Sequence, residues 1–293
     1  MLANRVRKTF RRLHGTFERQ SIGAFRLYDR DIPEIRAVVD WYEGHVVVGE
    51  YTRQQTAGLP GYLDALAKAA GEAAGATHVH VKRRRTRPRE GERYERLEEL
   101  TGERIPVRER DLRFLCNLDD YLDTGLFNDH RETRALVRAE SQGRHVLNLY
   151  GYTGSFTCAA AKGGALSTTT VDVSSTYLRW AGDNLKLNAL EGPQHALHRG
   201  DAREYLRTTR DRFGLCVLDP PSFSDGGFDI QKDHPKLVEA ALAVLEPGGV
   251  LWFSTNHQRF EPHLPAAAVE MTARTVPADY RNRTAHRSFR IVL

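Results

Sequence analysis

Three aspartates, each closing or following a short strand-like run, are the residues of this chain best placed to do chemistry: Asp172 after Thr168-Thr-Thr-Val, Asp201 after His195-Ala-Leu-His-Arg-Gly, and Asp219 after Leu215-Cys-Val-Leu. The first run is preceded by Val146-Leu-Asn-Leu-Tyr-Gly-Tyr-Thr-Gly-Ser-Phe-Thr157. That stretch reads as a buried strand, a glycine turn and a helix of small residues. Carboxylates at successive strand ends of one parallel sheet share the crevice at its carboxyl edge. Each aspartate alone has a plain alternative as a helix cap or a solvated loop residue, and it is the three in order that argue for a site. Gly151 and Gly154 would allow a tight turn and close approach to a ligand, while Asp172 would accept hydrogen bonds from ribose hydroxyls. The reading is a nucleoside-binding half-site. Gly151-Tyr-Thr-Gly154 lacks the third glycine of the dinucleotide fingerprint and shows no pyrophosphate cradle, so S-adenosylmethionine is the expected cofactor.

On this reading Asn148, Gly151, Tyr152, Gly154, Asp172 and Asp201 bind the cofactor, with Asp201 on the adenine amino group and Asp219 beside the reacting methyl. Tyr150, Thr153, Val173, Ser174 and Ala202 flank the same turns and complete the expected set. Asp219 also opens Asp219-Pro-Pro-Ser-Phe223. Methylation at carbon 5 of cytosine needs a thiolate that adds to the ring, and no cysteine stands beside this motif or just after the next strand, Leu251-Trp-Phe-Ser254. Cys216 falls inside the strand before Asp219, a core position. Covalent pyrimidine chemistry is not expected. An exocyclic amine and a ring nitrogen such as guanine N7 both remain, the first needing a hydrogen-bond acceptor and a stacking aromatic, the second chiefly alignment. The motif by itself slightly favours the amine.

The elements that position these residues form an α/β, doubly wound sheet from about residue 113 to 293, preceded by a smaller α+β domain over residues 1–112. In the second domain Ser174 to Asn188 reads as a helix that Ser174 could cap, Leu251-Trp-Phe-Ser254 as a fifth strand after the Pro247-Gly-Gly249 turn, and residues 270–275 with 288–293 as a closing hairpin. In the first domain, Arg5 to Gln20 predicts a helix, residues 36–41 and 45–51 a hairpin about Glu43-Gly44, Tyr62 to Ala74 a helix and residues 77–82 a strand. The net charge of +5 is unevenly spread. Arg5, Arg7, Lys8, Arg11 and Arg12 occur without an acid, and Lys82, Arg83, Arg84, Arg85, Arg87 and Arg89 form a second group, whose arginines read as a projecting loop. Such clusters neutralise phosphates; a solvated charged face is the alternative. Arg5, Lys8 and the 82–89 group are the expected RNA contacts, and the first domain the expected RNA platform.

No apolar run reaches membrane-spanning length and no signal-like core follows Met1, which predicts a cytoplasmic setting. The 3 cysteines are widely separated in apolar contexts, and the 12 histidines look scattered, so neither a disulfide framework nor a metal site is expected.

Asp120-Tyr-Leu-Asp-Thr-Gly-Leu-Phe-Asn-Asp-His-Arg131, Leu147-Asn-Leu-Tyr-Gly-Tyr-Thr-Gly154, residues 168–174, Asp219-Pro-Pro-Ser-Phe223 and Phe253-Ser-Thr-Asn-His257 closely resemble the RlmK-type large-subunit ribosomal RNA guanine-N7 methyltransferases, the family forming the C-terminal half of bifunctional RlmKL proteins. Ala3-Asn-Arg5, Arg26-Leu-Tyr-Asp29, Asp31-Ile-Pro-Glu34, Asp279-Tyr-Arg-Asn-Arg283 and His286 extend the resemblance nearly end to end. The resemblance implies a Rossmann-like class I methyltransferase sheet, S-adenosylmethionine as cofactor and 23S ribosomal RNA as partner, before or during subunit assembly. It adds Phe127 and Arg131 to the cofactor set, through a segment draped over the cofactor entrance. It moves the expected target to guanine N7, with Phe223 stacking on the base, Asp219 positioning it, and Asn256 and His257 on the guanine edge. A guanine-N2 enzyme and a non-catalytic RNA-binding assembly factor are the alternatives. In the family this unit is commonly fused behind a second methyltransferase half and an RNA-binding THUMP module; neither is in the present sequence, which reads as a free-standing relative or as a fragment of a longer chain, with substrate presentation differing accordingly.

Overall fold

The structure, a computed structural model, describes residues 1–52, 59, 61–85, 101–223 and 227–293. The chain divides into two compact units, Met1–Asn128 with Ala278–Arg281, and Asp129–Pro277 with Asn282–Leu293. Residues 113–128, expected on the catalytic side of the division, group with the first unit. One reason is that β6 (Leu112–Cys116) pairs with β5 (Ile105–Glu109) as an antiparallel hairpin, whose turn at Arg110-Asp111 carries no glycine to announce it in the sequence.

In the first unit, α1 (Leu2–Arg19) precedes β1 (Ala24–Asp29), β2 (Ala37–Tyr42) and β3 (His45–Thr52); α2 (Tyr62–Ala74) then leads to β4 (His78–Arg85). The sheet order is β1-β2-β3-β4, and β4 runs parallel to β3. Glu43 (φ 45) and Gly44 (φ 95) form the two-residue turn between β2 and β3, the left-handed geometry that matches strand twist. Leu2, Val6 and Phe17 of α1, Leu63, Ala67 and Ala70 of α2, and Phe25, Trp41, Val46 and Val48 of the sheet share one core. Lys82 lies in β4 as expected, and Arg83 to Arg85 lie there too rather than in a projecting loop, because the alternation that begins at His78 continues along β3.

The second unit carries the sheet that positions the three aspartates. Its elements are α3 (Arg131–Ala139), β7 (His145–Leu149), α4 (Ser155–Lys162), β8 (Ser167–Asp172), α5 (Ser175–Leu187), β9 (His195–Arg199), α6 (Ala202–Thr208), β10 (Phe213–Leu218), α7 (Ile230–Ala243), β11 (Leu245–Thr255), β12 (Val269–Glu270), α8 (Thr272–Thr275) and β13 (Arg287–Val292). The order β12-β13-β11-β10-β7-β8-β9 makes a 7-stranded sheet. Pairing is parallel from β9 through β11 and antiparallel at β13. The order reverses between β7 and β10, which opens a crevice at the carboxyl ends of those strands. β10 and β7 are almost wholly buried, as expected for strands covered on both faces. Leu147, Leu149, Cys216, Leu218, Leu251 and Phe253 belong to one core, and Val146, Leu215, Val217 and Trp252 to another.

Two expectations need correction. Pro247-Gly-Gly249 does not precede the fifth strand but lies within β11: Phe213 pairs with Leu245 and Leu215 with Val250, so the extra residues form an irregularity in the ladder. Residues 270–275 are not a full hairpin arm, since β12 is only two residues long and Thr272–Thr275 turns helical.

Candidate active site

The turn after β7 is the most constrained backbone in the crevice. Tyr150 (φ 55) and Tyr152 (φ 50) both adopt left-handed conformations, uncommon for bulky residues and concentrated at functional sites. The glycines serve packing. A side chain at Gly151 would place its Cβ 2.3 Å from Thr170 Cγ2, and at Gly154, where φ is 74, 2.7 Å from Ala181 Cβ. The close approach they permit is therefore of the turn to β8 and α5. Thr153 is buried, and its carbonyl accepts from Asn184 Nδ2 at 2.9 Å. Asn148 lies behind the turn rather than on it: buried, it donates to Thr157 Oγ1 at 2.9 Å, and Thr157 meets Thr170 Oγ1 at 2.6 Å. This network ties β7, α4 and β8 together.

Asp172 ends β8, where it accepts from Tyr152 N at 2.9 Å through Oδ2 and from Ser174 N at 2.8 Å through Oδ1. Burial raises its pKa, and the backbone donors oppose that rise. Each oxygen keeps a lone pair for a further donor, the arrangement a vicinal diol would use. Val173 beside it is exposed, and Ser174 caps α5 through Tyr177 N at 3.2 Å. Asp201 lies two residues beyond β9 and caps α6, accepting from Arg203 N at 2.8 Å and Glu204 N at 3.2 Å. The Arg203 guanidinium, 3.0 Å away, holds its carboxyl below the ordinary range. The cap alternative is thus realised at Asp201, and an adenine contact would have to share this carboxylate. Ala202 is buried in the sheet core. Tyr150 packs toward Phe228 with centroids 6.3 Å apart, and burial pushes its phenol up to about 12. Arg131 is buried at the start of α3, its Nε 3.3 Å from Glu132 Oε1. Phe127, in the first unit, is exposed.

The expected base-facing residues gather at the ends of β10 and β11. Asp219 follows β10 directly; its Oδ1 accepts from Ser254 Oγ at 2.7 Å, and its Oδ2 lies 3.6 Å from His130 Nε2. Ser222 Oγ donates to Asn256 Oδ1 at 2.8 Å, which joins the Pro-Pro loop to the end of β11. Phe223 is 63% exposed and meets His257 edge-on, with centroids 5.8 Å apart. The buried Nδ1 of His257 has no hydrogen-bond partner among the described residues. An exposed aromatic face and a carboxylate are groups with which a planar heterocycle could stack and bond.

Sequence reasoning missed the support behind Asp219. His130 is fully buried, stacks on His286 at 4.0 Å with 16° between planes, and lies 3.3 Å from Thr133 Oγ1 through Nδ1. Burial, and then the neighbouring His286, push its pKa down to about 4, so the ring is neutral at pH 7. With the Thr133 hydroxyl donating to Nδ1, the tautomer that satisfies the network carries its proton on Nε2, toward Asp219. His286 in turn contacts Asp129 Oδ2 at 3.1 Å and Thr275 Oγ1 at 3.0 Å. The histidines are therefore not all scattered. Ligand atoms of Asp129, His130 and His286 lie within 4.8 Å of one another, but both His286 nitrogens are engaged and stacked rings do not aim their lone pairs at one point. The arrangement reads as a hydrogen-bonded brace.

All three cysteines are free and buried. Burial pushes the Cys158 thiol up to about 12 and raises that of Cys216 as well, which leaves neither a ready thiolate. Of the expected phosphate contacts, Arg5 and Lys8 are exposed on α1. Lys82 is not: its stem is buried and its ammonium donates to the Tyr121 carbonyl, so the inward side of β4 removes it from the surface set. Arg87 and Arg89 lie outside the described residues, as do the side chains of Arg83, Arg84 and Arg85.

A doubly wound sheet with a strained glycine turn after its first strand, a carboxylate at the end of the second, and Asp-Pro-Pro at the end of the fourth defines a nucleoside-cofactor transferase. Residues 24–285 match the model of the S-adenosylmethionine-dependent methyltransferases, and the chain belongs to that family. Similar proteins include the ribosomal RNA large subunit methyltransferase K/L of Allochromatium vinosum, 42% identical over 98% of this chain and 41% of that protein. The protein of the same name from Pseudomonas aeruginosa is 41% identical over 100% of this chain and 42% of its own. The chain thus spans about two fifths of the curated relatives it matches. Among solved structures, a Streptococcus mutans protein shares the fold with a TM-score of 0.78 at 22% identity, covering 99% of this chain and 81% of the other. The SAM-dependent methyltransferase of Agrobacterium tumefaciens does so with a TM-score of 0.58 at 22% identity, covering 76% and 71%. S-adenosylmethionine is the family's cofactor, and the crevice residues fit it. Asp172 offers paired oxygens at a strand end, and Tyr150 and Tyr152 hold a strained backbone beside it.

Proposed function

We propose that this chain methylates guanine N7 in large-subunit (23S) ribosomal RNA, in the cytoplasm, before or during subunit assembly and without a covalent enzyme-RNA intermediate. The relatives named as ribosomal RNA large subunit methyltransferases support the substrate class. The observation that carries the chemistry is the grouping of exposed Phe223, Asp219, Asn256 and His257 around two strand ends, with Cys158 and Cys216 buried and their thiols held in the neutral form.

S-adenosylmethionine supplies an electrophilic sulfonium methyl when bound. The residues assigned to hold it are Tyr150, Gly151, Tyr152 and Asp172, with Val173, Ser174 and Asp201 along the same edge. Guanine N7 presents an in-plane lone pair and has no proton to lose, so the protein's task is alignment and exclusion of water. Phe223 offers a face to a base taken out of its stack. His257 and Asn256 address the base edge. Asp219, held by Ser254 and His130, places a negative charge near the ring as it becomes cationic. A neutral His130 preserves that charge, since an imidazolium would compete for it.

The test is chemical. RNA methylated to completion by the protein is reduced with borohydride and treated with aniline, which cleaves at N7-methylguanosine and not at N2-methylguanosine. Cleavage at a single guanine is expected. Full resistance rules out N7 and selects the exocyclic amine, for which Asp219 would act as hydrogen-bond acceptor.

A further inference from the structure

The first unit contains a cavity of about 350 Å³, remote in sequence from the catalytic strand ends and built by α1, the end of β1 and the segment Ala278–Arg281. Arg5, Lys8, Thr9 and Arg12 line one side. The spacing of the three cations, three residues and then four, puts them on one helix face, where like charges repel. Arg5 also stands in the first turn of a helix with no acid there, where the macrodipole disfavours positive charge. All three are exposed, and among the described residues none makes a side-chain hydrogen bond or ion pair.

The acids of the opposite side differ in that each already has partners. Asp29 lies 3.5 Å from both Arg26 and Arg30, Asp31 lies 3.7 Å from Arg281, and Asp279 accepts from Arg26 N at 2.8 Å. Arg26 is itself fixed, bonded to Asp40 at 2.9 Å and stacked over Tyr280 at 4.3 Å. The charge left without a counterpart is therefore that of Arg5, Lys8 and Arg12. A volume of this order admits a group of nucleotide size. Guanidinium forks and an ammonium suit phosphate oxygens, and carboxylates across the cavity suit hydroxyl donors. A single-stranded RNA backbone presents both, through its phosphodiester and its ribose 2′-hydroxyl.

We propose that this cavity holds one nucleotide of the substrate RNA backbone, its phosphate on Arg5, Lys8 and Arg12 and its 2′-hydroxyl toward Asp31. This rests on the reading of RNA as substrate, and it gives the first unit a defined site in place of a diffuse basic face.

The experiment measures binding of a single-stranded RNA oligonucleotide by fluorescence anisotropy across a salt series, without cofactor. Two triple variants of equal charge are compared: Arg5→Gln/Lys8→Gln/Arg12→Gln, which strips the cavity, and Arg7→Gln/Arg11→Gln/Arg19→Gln, which strips the same helix elsewhere. Since all six side chains are exposed, both variants should fold, and circular dichroism verifies that. The slope of log affinity against log salt should fall by about 0.7 for each phosphate no longer neutralised, and only in the first variant. Arg5→Lys/Arg12→Lys should restore most of it. A deoxy oligonucleotide should bind the wild type more weakly than the ribose form, and Asp31→Asn should narrow that gap. Equal slopes in the two triple variants would overturn the site while leaving methyl transfer to RNA, assayed in parallel, as a separate result. Inorganic phosphate that saturates the cavity without displacing RNA would make it a small-anion site and overturn the proposal too. Wild-type protein that binds no RNA would overturn both this site and the functional reading.

Discussion

His130 Nε2 stands 3.6 Å from Asp219 Oδ2, although the two residues belong to the start of α3 and the end of β10. The imidazole is neutral and wholly buried, and its other nitrogen is occupied by Thr133. It cannot rotate away without giving up both partners and its stack on His286. On the proposed mechanism it is a positioning residue for the carboxylate that faces the base.

His130→Asn should therefore reduce kcat by roughly ten- to a hundredfold, the scale of a small misplacement at a reacting centre, while cofactor affinity is unchanged. Single-turnover methylation and calorimetric cofactor titration measure the two effects separately. Equal losses in both would assign His130 to folding of the crevice as a whole.

The same residue makes stability depend on pH. Its folded pKa lies near 4 against an ordinary 6.5, so the unfolded chain takes up the proton first as pH falls. The stability it contributes is fully present above about pH 6.5 and is lost progressively down to about pH 4. The whole span corresponds to about 3 kcal/mol at most. Burial also lowers the pKa values of His45, His195 and His234, which act in the same direction. The slope of unfolding free energy against pH between 7 and 5, from urea titrations, should be smaller in His130→Asn than in the wild type.

Asp172→Ala removes the carboxylate that takes the Tyr152 and Ser174 amides and leaves those donors unmet at the mouth of the crevice. Cofactor binding should weaken by roughly 1 to 3 kcal/mol. Unchanged affinity by calorimetry would remove Asp172 from the cofactor site.

Gly154→Ala adds a Cβ 2.7 Å from that of Ala181 at a residue whose φ is 74. Strain and overlap act together here, and a loss of about 1 to 3 kcal/mol in unfolding free energy is expected. Gly143 also has positive φ (71) but open space around it, so Gly143→Ala should lose less, which separates backbone strain from the clash.

Phe223→Ala should impair methyl transfer far more than cofactor binding, because its ring is exposed and, among the described residues, meets only His257 of the aromatic rings. Replacing Cys116, Cys158 and Cys216 together by serine should cost stability, since each is buried, yet spare transfer in whatever fraction folds. A denaturation-resistant protein-RNA adduct in the wild type that disappears in this variant would contradict the non-covalent mechanism.

The sequence by itself determined what depends on short-range pattern. The β-branched run before Asp172 and the apolar run before Asp219 fixed strands whose ends had to share one sheet edge, and Ser174 with the apolar spacing after it fixed the start of α5. The burial of Cys216 followed from its place inside an unbroken apolar strand. Tertiary structure decided what depends on distant partners. Asn148 reads as a cofactor contact in a buried strand, and only the fold shows its amide donating to Thr157, which in turn meets Thr170. Lys82 reads as one more cation until its ammonium reaches the Tyr121 carbonyl. Pro247-Gly-Gly249 reads as a turn until the ladder of β10 shows that β11 passes through it. His130 and His286 gain their roles only where α3 and β13 meet, since stacking and desolvation belong to the packed state. Local periodicity fixes an element's type and the face it buries; the partner each polar atom finds is set by which elements the fold brings within hydrogen-bond reach.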